Sequence, residues 1–424
     1  MVKNIILVLL IGINSCSAAV GIEARHTKKM PFIIASLGKE QTTTQEMLKT
    51  LASDLAFTGQ FEVSLEHIDH LKTKHDIKNF AQKSPLLLIV EDRIGKHGLE
   101  WRLYDTRTGS MKTGKRFVKE NVSVTAWGHD LADHINNALT LNQSPFCSLI
   151  TYCKEDPKKA KTDICVANYN GKNEKTVASL NTFAIAPCFN ADTQKPLILY
   201  SEYTAHNIRL MMTDLQGNKS PAANFDGLNM QPAFSQDGSD IVVCLSAAGN
   251  AQLYRYESGS RDKKGRYVRL TDNDGSNLSP SIMKNGDIAY CSDFENGTPQ
   301  IYIMNRHGKN VRKISNGGCC TAPCYSAANQ KIAYSKLIDG CSQIMVYDIK
   351  KNVTTQLTSD AGHKTESSWS PCGNYLVYSL EDSKTKRLAV HNLLTKDRTF
   401  ITDGSFRYSY PCWSPRYPLL PTLS

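Results

Sequence analysis

The sequence predicts a two-domain chain: an N-terminal α/β domain followed by a six-bladed all-β propeller whose last blade is closed by strands from both ends. Three observations predict it. A unit of Pro-x-aromatic-Ser followed by short apolar runs recurs along the chain, its copies begin 43 to 48 residues apart, and a pattern of alternating helix and strand precedes the first copy. That spacing suits a four-stranded propeller blade. A chain of 424 residues, 41% hydrophobic and 21% charged, is long and apolar enough for more than one core.

The clearest copies are PAFSQDGSDIVVC from Pro232 and PCYSAANQKIAYS from Pro323. PSIMKNGDIAYCS from Pro280, SSWSPCGNYLVYS from Ser367, a degraded PCFNADTQKPLILYS from Pro187 and PCWSP from Pro411 complete the set. Within a copy, runs such as KIAYS (331–335) and QIMVY (343–347) have the β-branched and aromatic content of strands. Asp237-Gly238, Asn285-Gly286 and Gly373-Asn374 supply tight turns, and each unit closes near a Leu-Thr pair. The last copy stops after one strand. SLITY (148–152) and the run 165–169 supply its missing strands from the front, which closes the ring and removes sheet edges.

Ahead of the propeller, residues 32–35 read as a strand, and Met47, Leu48, Leu51, Ala52 and Leu55 share one helical face. Strands follow at 61–65 and 86–90, and 101–104 is expected to pair with 116–118. A last helix carries Trp127, Leu131, Ile135 and Ala138 on its apolar side. The expected divisions are a signal peptide over 1–19, a flexible segment over 20–30, an α/β domain over 31–145 and the propeller over 146–420. The signal reading rests on Lys3, the apolar stretch 5–13 and Ser17-Ala18-Ala19. Lipidation of Cys16, through Ile13-Asn14-Ser15 as a degenerate lipobox, is the alternative.

Thirteen cysteines are many for an exported chain. Cys188, Cys324 and Cys412 recur in the same P-C-[FYW] context, and Cys244 and Cys291 occupy equivalent strand positions, so they read as buried packing residues. Cys319 and Cys320 with Cys324 form a tight cluster suited to a local disulfide or to none, not to a zinc quartet. The net charge of +10 suits an anionic partner, yet no basic run interleaved with aromatics points to nucleic acid.

No catalytic, cofactor or metal residue is expected. His67, His70 and His75 lie on a polar stretch, and His129, Asp130, Asp133 and His134 read as the solvated side of the last helix. Asp272-Asn273-Asp274-Gly275 lacks the glutamate that finishes a calcium loop. G-x-S-x-G, H-E-x-x-H and phosphate-cradling glycine loops are absent from the sequence. A binding scaffold is the favoured class. The alternatives are a peptidase-like propeller, which needs a hydrolase domain, and a glycan binder, which needs exposed aromatics; Trp369 and Trp413 read as blade-core residues instead.

The segments FIIASLGKEQTTTQEMLKTLASDLAFTGQFEVS, RLYDTRTG and WGHDLADHINNAL, the last leading into SLITYC, stand ahead of the P-x-[FW]-S-x-x-G units. On these the sequence resembles the TolB family along nearly all of its expected mature length. Cys372, Asn190-Ala191 and the cysteine load depart from the family pattern. The resemblance implies a monomeric periplasmic scaffold of the Tol-Pal system, supporting outer-membrane integrity and constriction in cell division. Its implied partners are the peptidoglycan-associated lipoprotein Pal on the propeller and TolA through the N-terminal segment. The first strand of a blade lines the central channel, so the residue before each Pro-x-aromatic unit is placed at the channel mouth. By resemblance, Gln231, Ser279, Ala322, Glu366 and Tyr410 are therefore the expected partner-binding residues.

Overall fold

The computed structural model describes residues 29–38, 42–93, 98–118, 123–140, 143–156, 158–159, 161–223, 229–246, 249–257, 266–418, 421 and 423. The expected signal peptide, its Cys16 alternative and the 20–30 segment up to residue 28 lie outside the described residues.

The first part grows from strands that are apolar on both faces. In β1 (Met30–Leu37), Phe32 and Ile34 face one side, Ile33 and Ala35 the other, and all four are buried. Such a strand needs a covering layer on each side. One layer is α1 (Thr42–Phe57), which contributes Met47, Leu48, Leu51 and Leu55. β2 (Phe61–Ile68) pairs with β1 in parallel. The opposite layer is α2 (Lys74–Lys78), whose Ile77 packs on Ile33 and Ala35. The sequence reading left α2 out because it is one turn long; its local signal is Thr73, which accepts the Asp76 N–H at 3.2 Å while the Asp76 carboxylate accepts from Thr73 N at 2.8 Å.

β3 (Leu86–Arg93) joins β1 in parallel, and β4 (Gly98–Asp105) and β5 (Ser110–Val118) extend the sheet antiparallel, giving the order β2-β1-β3-β4-β5. The expected pairing of 101–104 with 116–118 is displaced: Trp101 pairs with Lys115 and Tyr104 with Met111. The hairpin turn is tighter than the sequence reading allowed. α3 (Val124–Thr140) packs beside α1, so closely that a Cβ on Gly128 would stand 2.8 Å from Thr50 Cβ.

The rest of the described chain is strand and turn. Strands within 184–223, 229–269, 277–313 and 320–356 form four discrete four-stranded sheets. The expectation of six blades is corrected here. The strands assigned to two further blades make one eight-stranded sheet instead, in the order His363–Trp369, Tyr375–Glu381, Lys386–Asn392, Arg407–Trp413, Leu149–Asp156, Lys161–Asn168, Lys175–Leu180, with Arg398–Phe400 on Lys386–Asn392. A parallel bridge between Lys386 and Arg407 joins its two halves. The strand Arg407–Trp413 pairs antiparallel with Leu149–Asp156.

The recurring residues have recurring tasks. Thr271, Ser315, Thr358 and Thr402 hydroxyls accept the N–H of Leu253, Ile301, Ile344 and Leu388 at 2.7 to 2.9 Å, which pins each outer connection to its third strand. Ser235 and Ser370 hydroxyls accept the N–H of Asp240 and Tyr375, closing the first turn. Asn190, a departure from the family pattern, does the same work: its side-chain oxygen accepts Leu197 N at 2.9 Å. Second-strand tyrosines Tyr152, Tyr200, Tyr290, Tyr334 and Tyr378 are at most 2% exposed. Burying side chains of this size stabilises by about 1.5–3 kcal/mol each.

Candidate functional site

Six strands face the centre of the propeller: Ala184–Phe189, Asn229–Phe234, Asn277–Ile282, Cys320–Ser326, His363–Trp369 and Arg407–Trp413. Each carries a bulge at the same register. Met230 pairs with Cys244 and Ala233 with Val242, so Gln231 and Pro232 together oppose Val243. Elsewhere the opposed residue is the recurring tyrosine: Ser279-Pro280 meets Tyr290, Ala322-Pro323 meets Tyr334, Glu366-Ser367 meets Tyr378 and Tyr410-Pro411 meets Tyr152. The proline at five of these six bulges needs no ladder N–H there, which explains how it sits inside a strand.

The residue before it is left-handed in every case: Ala186, Gln231, Ser279, Ala322, Glu366 and Tyr410 have φ between 50° and 58°. For non-glycine residues this conformation costs on the order of 1–3 kcal/mol, and such strain collects where a surface has a task. All six line one cavity of about 630 Å³. The structure thus brings the five residues singled out in the sequence into one ring, at mid-strand bulges that line the channel. Ala186 was missed, although the same register, one residue before Pro187, carries it.

The ring is cross-linked by hydrogen bonds. Gln231 N donates to Ser201 Oγ at 3.1 Å, and Gln231 Oε1 accepts the Ser279 N–H at 2.7 Å. Glu366 Oε2 accepts from Tyr410 N and from Ser379 Oγ, both at 2.8 Å, while Lys386 Nζ stands 3.8 Å from Oε1 and 5.9 Å from the centre of the Tyr410 ring. Glu366 and Gln231 are therefore structural as well as cavity-lining. The Tyr410 hydroxyl is held well above its usual range by burial and by the Glu366 carboxylate, so it is a neutral donor. Gln143 and Arg416 also line the cavity, and the Arg416 guanidinium contacts Asp133 of α3.

Cys188, Cys324 and Cys412 also line the cavity. Burial pushes all three thiols up, Cys324 to about 12, so they face it protonated and unreactive. The twelve described cysteines are all free, so of the two readings of the 319–324 cluster the structure has the one without a disulfide. Among the described residues no group of three or more His, Cys, Asp or Glu is placed to hold a metal ion. His67 Nδ1 instead lies 2.9 Å from Ser36 Oγ on the neighbouring strand. The reading of α3 needs a second correction: His129 and Asp133, expected on its solvated side, are buried against the propeller. Trp369 and Trp413 are each 6% exposed, with indole N–H groups bonded to Cys324 O and Ser148 Oγ, so neither is a sugar-stacking platform.

A family model described as the TolB beta propeller domain matches residues 136–417. The chain is 25% identical over 394 residues to the Tol-Pal system protein TolB of Francisella tularensis subsp. mediasiatica (strain FSC147), and 23% identical to that of subsp. holarctica (strain OSU18). Each alignment covers 88% of both chains. A crystal structure of TolB from Acinetobacter baumannii shares the fold, with a TM-score of 0.77 at 22% identity over 92% of this chain and 97% of that one. No helix among the described residues is long and apolar enough to cross a membrane.

Proposed function

The chain belongs to the TolB family, and from that premise we propose that it acts as a Tol-Pal system protein: a non-catalytic, periplasmic binding scaffold that maintains outer-membrane integrity and supports envelope constriction in division. Its propeller cavity holds a Pal-like peptidoglycan-associated lipoprotein. The residues near 20–30 serve a TolA contact, the residues over 1–19 direct export, and the division at 31–145 and 146–420 separates the two working parts. The observation that carries this reading is the ring of six strained, inward-facing residues round one cavity. Neither the peptidase-like nor the glycan-binding alternative has support.

The test uses two ring members whose side chains accept no hydrogen bond from the neighbouring strand. Tyr410→Ala removes the aromatic anchor, and Ala322→Arg puts bulk and charge into the cavity. Capture of the lipoprotein by the full chain should weaken by about thirtyfold or more in the double variant, the loss typical of a central anchor. Its melting temperature should stay within a few degrees of the parent. Undiminished capture by the folded variant would move the binding surface to the α/β part.

A further inference from the structure

Two titratable side chains from separate helices meet inside the seam between the α/β part and the propeller. Asp54 of α1 is 0% exposed and His129 of α3 is 2% exposed, and His129 Nδ1 lies 2.6 Å from Asp54 Oδ2. The other carboxylate oxygen accepts the Tyr169 hydroxyl at 2.6 Å, from the turn after the strand Lys161–Asn168. Asn168 Nδ2 lies 3.1 Å from His129 Nε2. The rings of Phe57 and Phe146 stand 4.8 and 5.3 Å from that of Tyr169, with Tyr375 5.5 Å from Phe57, and wall the group in.

A buried aspartate and histidine that share one proton carry no net charge, whichever of them holds it. Removing that proton leaves a lone buried anion, and adding another leaves a lone buried cation; both are costly. The other groups facing the pair do not supply this chemistry. From the propeller, burial keeps the Tyr169 and Tyr375 hydroxyls protonated well beyond neutral pH, and Lys172 adds positive charge toward Asp54. Burial likewise holds the Cys147 thiol up. One turn along α3, Asp133 is engaged by Ser144 and Arg416, and Asp130 by His134. That leaves the Asp54–His129 pair as the buried acid and base in direct contact at the seam.

We propose that the Asp54–His129 pair is a pH-sensitive lock between the α/β domain and the propeller, engaged while the pair holds its shared proton and loosened when that proton leaves. Burial raises the Asp54 carboxyl above its usual range, against the pull of His129, Tyr169 and Lys172. A group whose docked pKa is raised holds its proton more tightly docked than undocked. Docking is then strongest while the pair holds one proton, and it weakens as pH rises through the docked value or falls far enough to add a second proton. One linked proton changes the docking equilibrium by at most about tenfold per pH unit. Because α3 also carries Asp133, whose partner Arg416 lines the cavity, loosening reaches the cavity wall.

Hydrogen exchange of the α1 and α3 amides in the full chain, corrected for intrinsic rates, tests this from about pH 5 to about pH 9. The expected result is an opening equilibrium that rises by up to tenfold per unit in the parent and is flat in Asp54→Asn, which keeps the shape of the side chain and one acceptor oxygen but not the charge. Imidazole nitrogen resonances of the parent, with His129 assigned by its loss in His129→Gln, should titrate at the midpoint of opening. Opening that is flat with pH in the parent, or that has the same slope in Asp54→Asn, overturns the lock. Should the variants not fold, a parent protein with no imidazole titrating at the opening midpoint overturns it equally.

Discussion

At Gln231 one side chain decides whether a neighbouring strand keeps its hydrogen bond. Its amide oxygen takes the N–H of left-handed Ser279, a donor the bulge has turned away from the sheet ladder. Gln231→Ala leaves that N–H without a partner in a partly buried place and should cost about 1–3 kcal/mol in denaturant unfolding. Gln231→Glu, which keeps an acceptor, should recover most of the loss. Ala322 tests the strain itself. A left-handed Cβ costs roughly 1–2 kcal/mol and glycine's extra freedom roughly 0.5–1 kcal/mol, so Ala322→Gly should leave stability level or raise it by up to about 1 kcal/mol. The same change at Ala333, fully buried within an ordinary strand, should lose stability. Four of the five ring residues were legible because proline marks the bulge in the sequence, and Glu366 because Ser367 holds the same place in its copy. His129 and Asp133 were not, because a polar helix face ordinarily meets water and nothing local says that a second part of the chain covers it.

Elements were legible where side chains repeat a task. The Leu-Thr pair and the Ser of the first turn were readable as punctuation, and the structure shows them as acceptors for strand N–H groups. The bridge from Lys386 to Arg407 was not readable, since one backbone pairing leaves no side-chain pattern. Turn carboxylates add an acid sensitivity. Asp237, held to about 2 by hydrogen bonds from the Ser235 hydroxyl and from Ser239, and Asp382, lowered by the N–H groups of Lys384 and Thr385, both lie below the ordinary value. A lowered folded pKa gives stability that is full above the unfolded value and lost as pH falls through the folded one, for Asp237 between about 4 and about 2. Asp237→Asn should therefore reduce the acid-side slope of the melting temperature and leave its neutral-side slope unchanged. Among helices, Gly128→Ala should separate α3 from α1, because its Cβ would meet Thr50 at 2.8 Å and Met47 O at 3.0 Å. A loss of about 1–3 kcal/mol is expected, read by thermal unfolding.

At the scale of the molecule, one apolar core runs without a break from α1 and α3 through Phe146 and Tyr169 to Tyr375 and Trp413. The C-terminal strand belongs to that core and to the sheet at once. Its residues pair with Leu149–Asp156 from Arg407 opposite Glu155 to Trp413 opposite Ile150. Beyond it, Ser414 N donates to Leu149 O at 2.9 Å, Tyr417 N to Cys147 O at 2.8 Å, and Arg416 reaches Asp133 on α3. Deleting the chain from Pro411 removes two aromatic side chains at most 6% exposed, worth about 1.5–3 kcal/mol each, together with these bonds. It also strips the inner edge of the strand Leu149–Asp156 along Leu149 to Thr151 and leaves the N–H and C=O groups there unpaired. Because the same residues bind the sheet to α3, the loss should not stay local. The truncated protein should unfold at a much lower temperature, lose its single cooperative transition and aggregate in sedimentation. A monomeric product with the parent's melting profile would show that the strand closes nothing, and would leave the unbroken core to hold the two parts together alone.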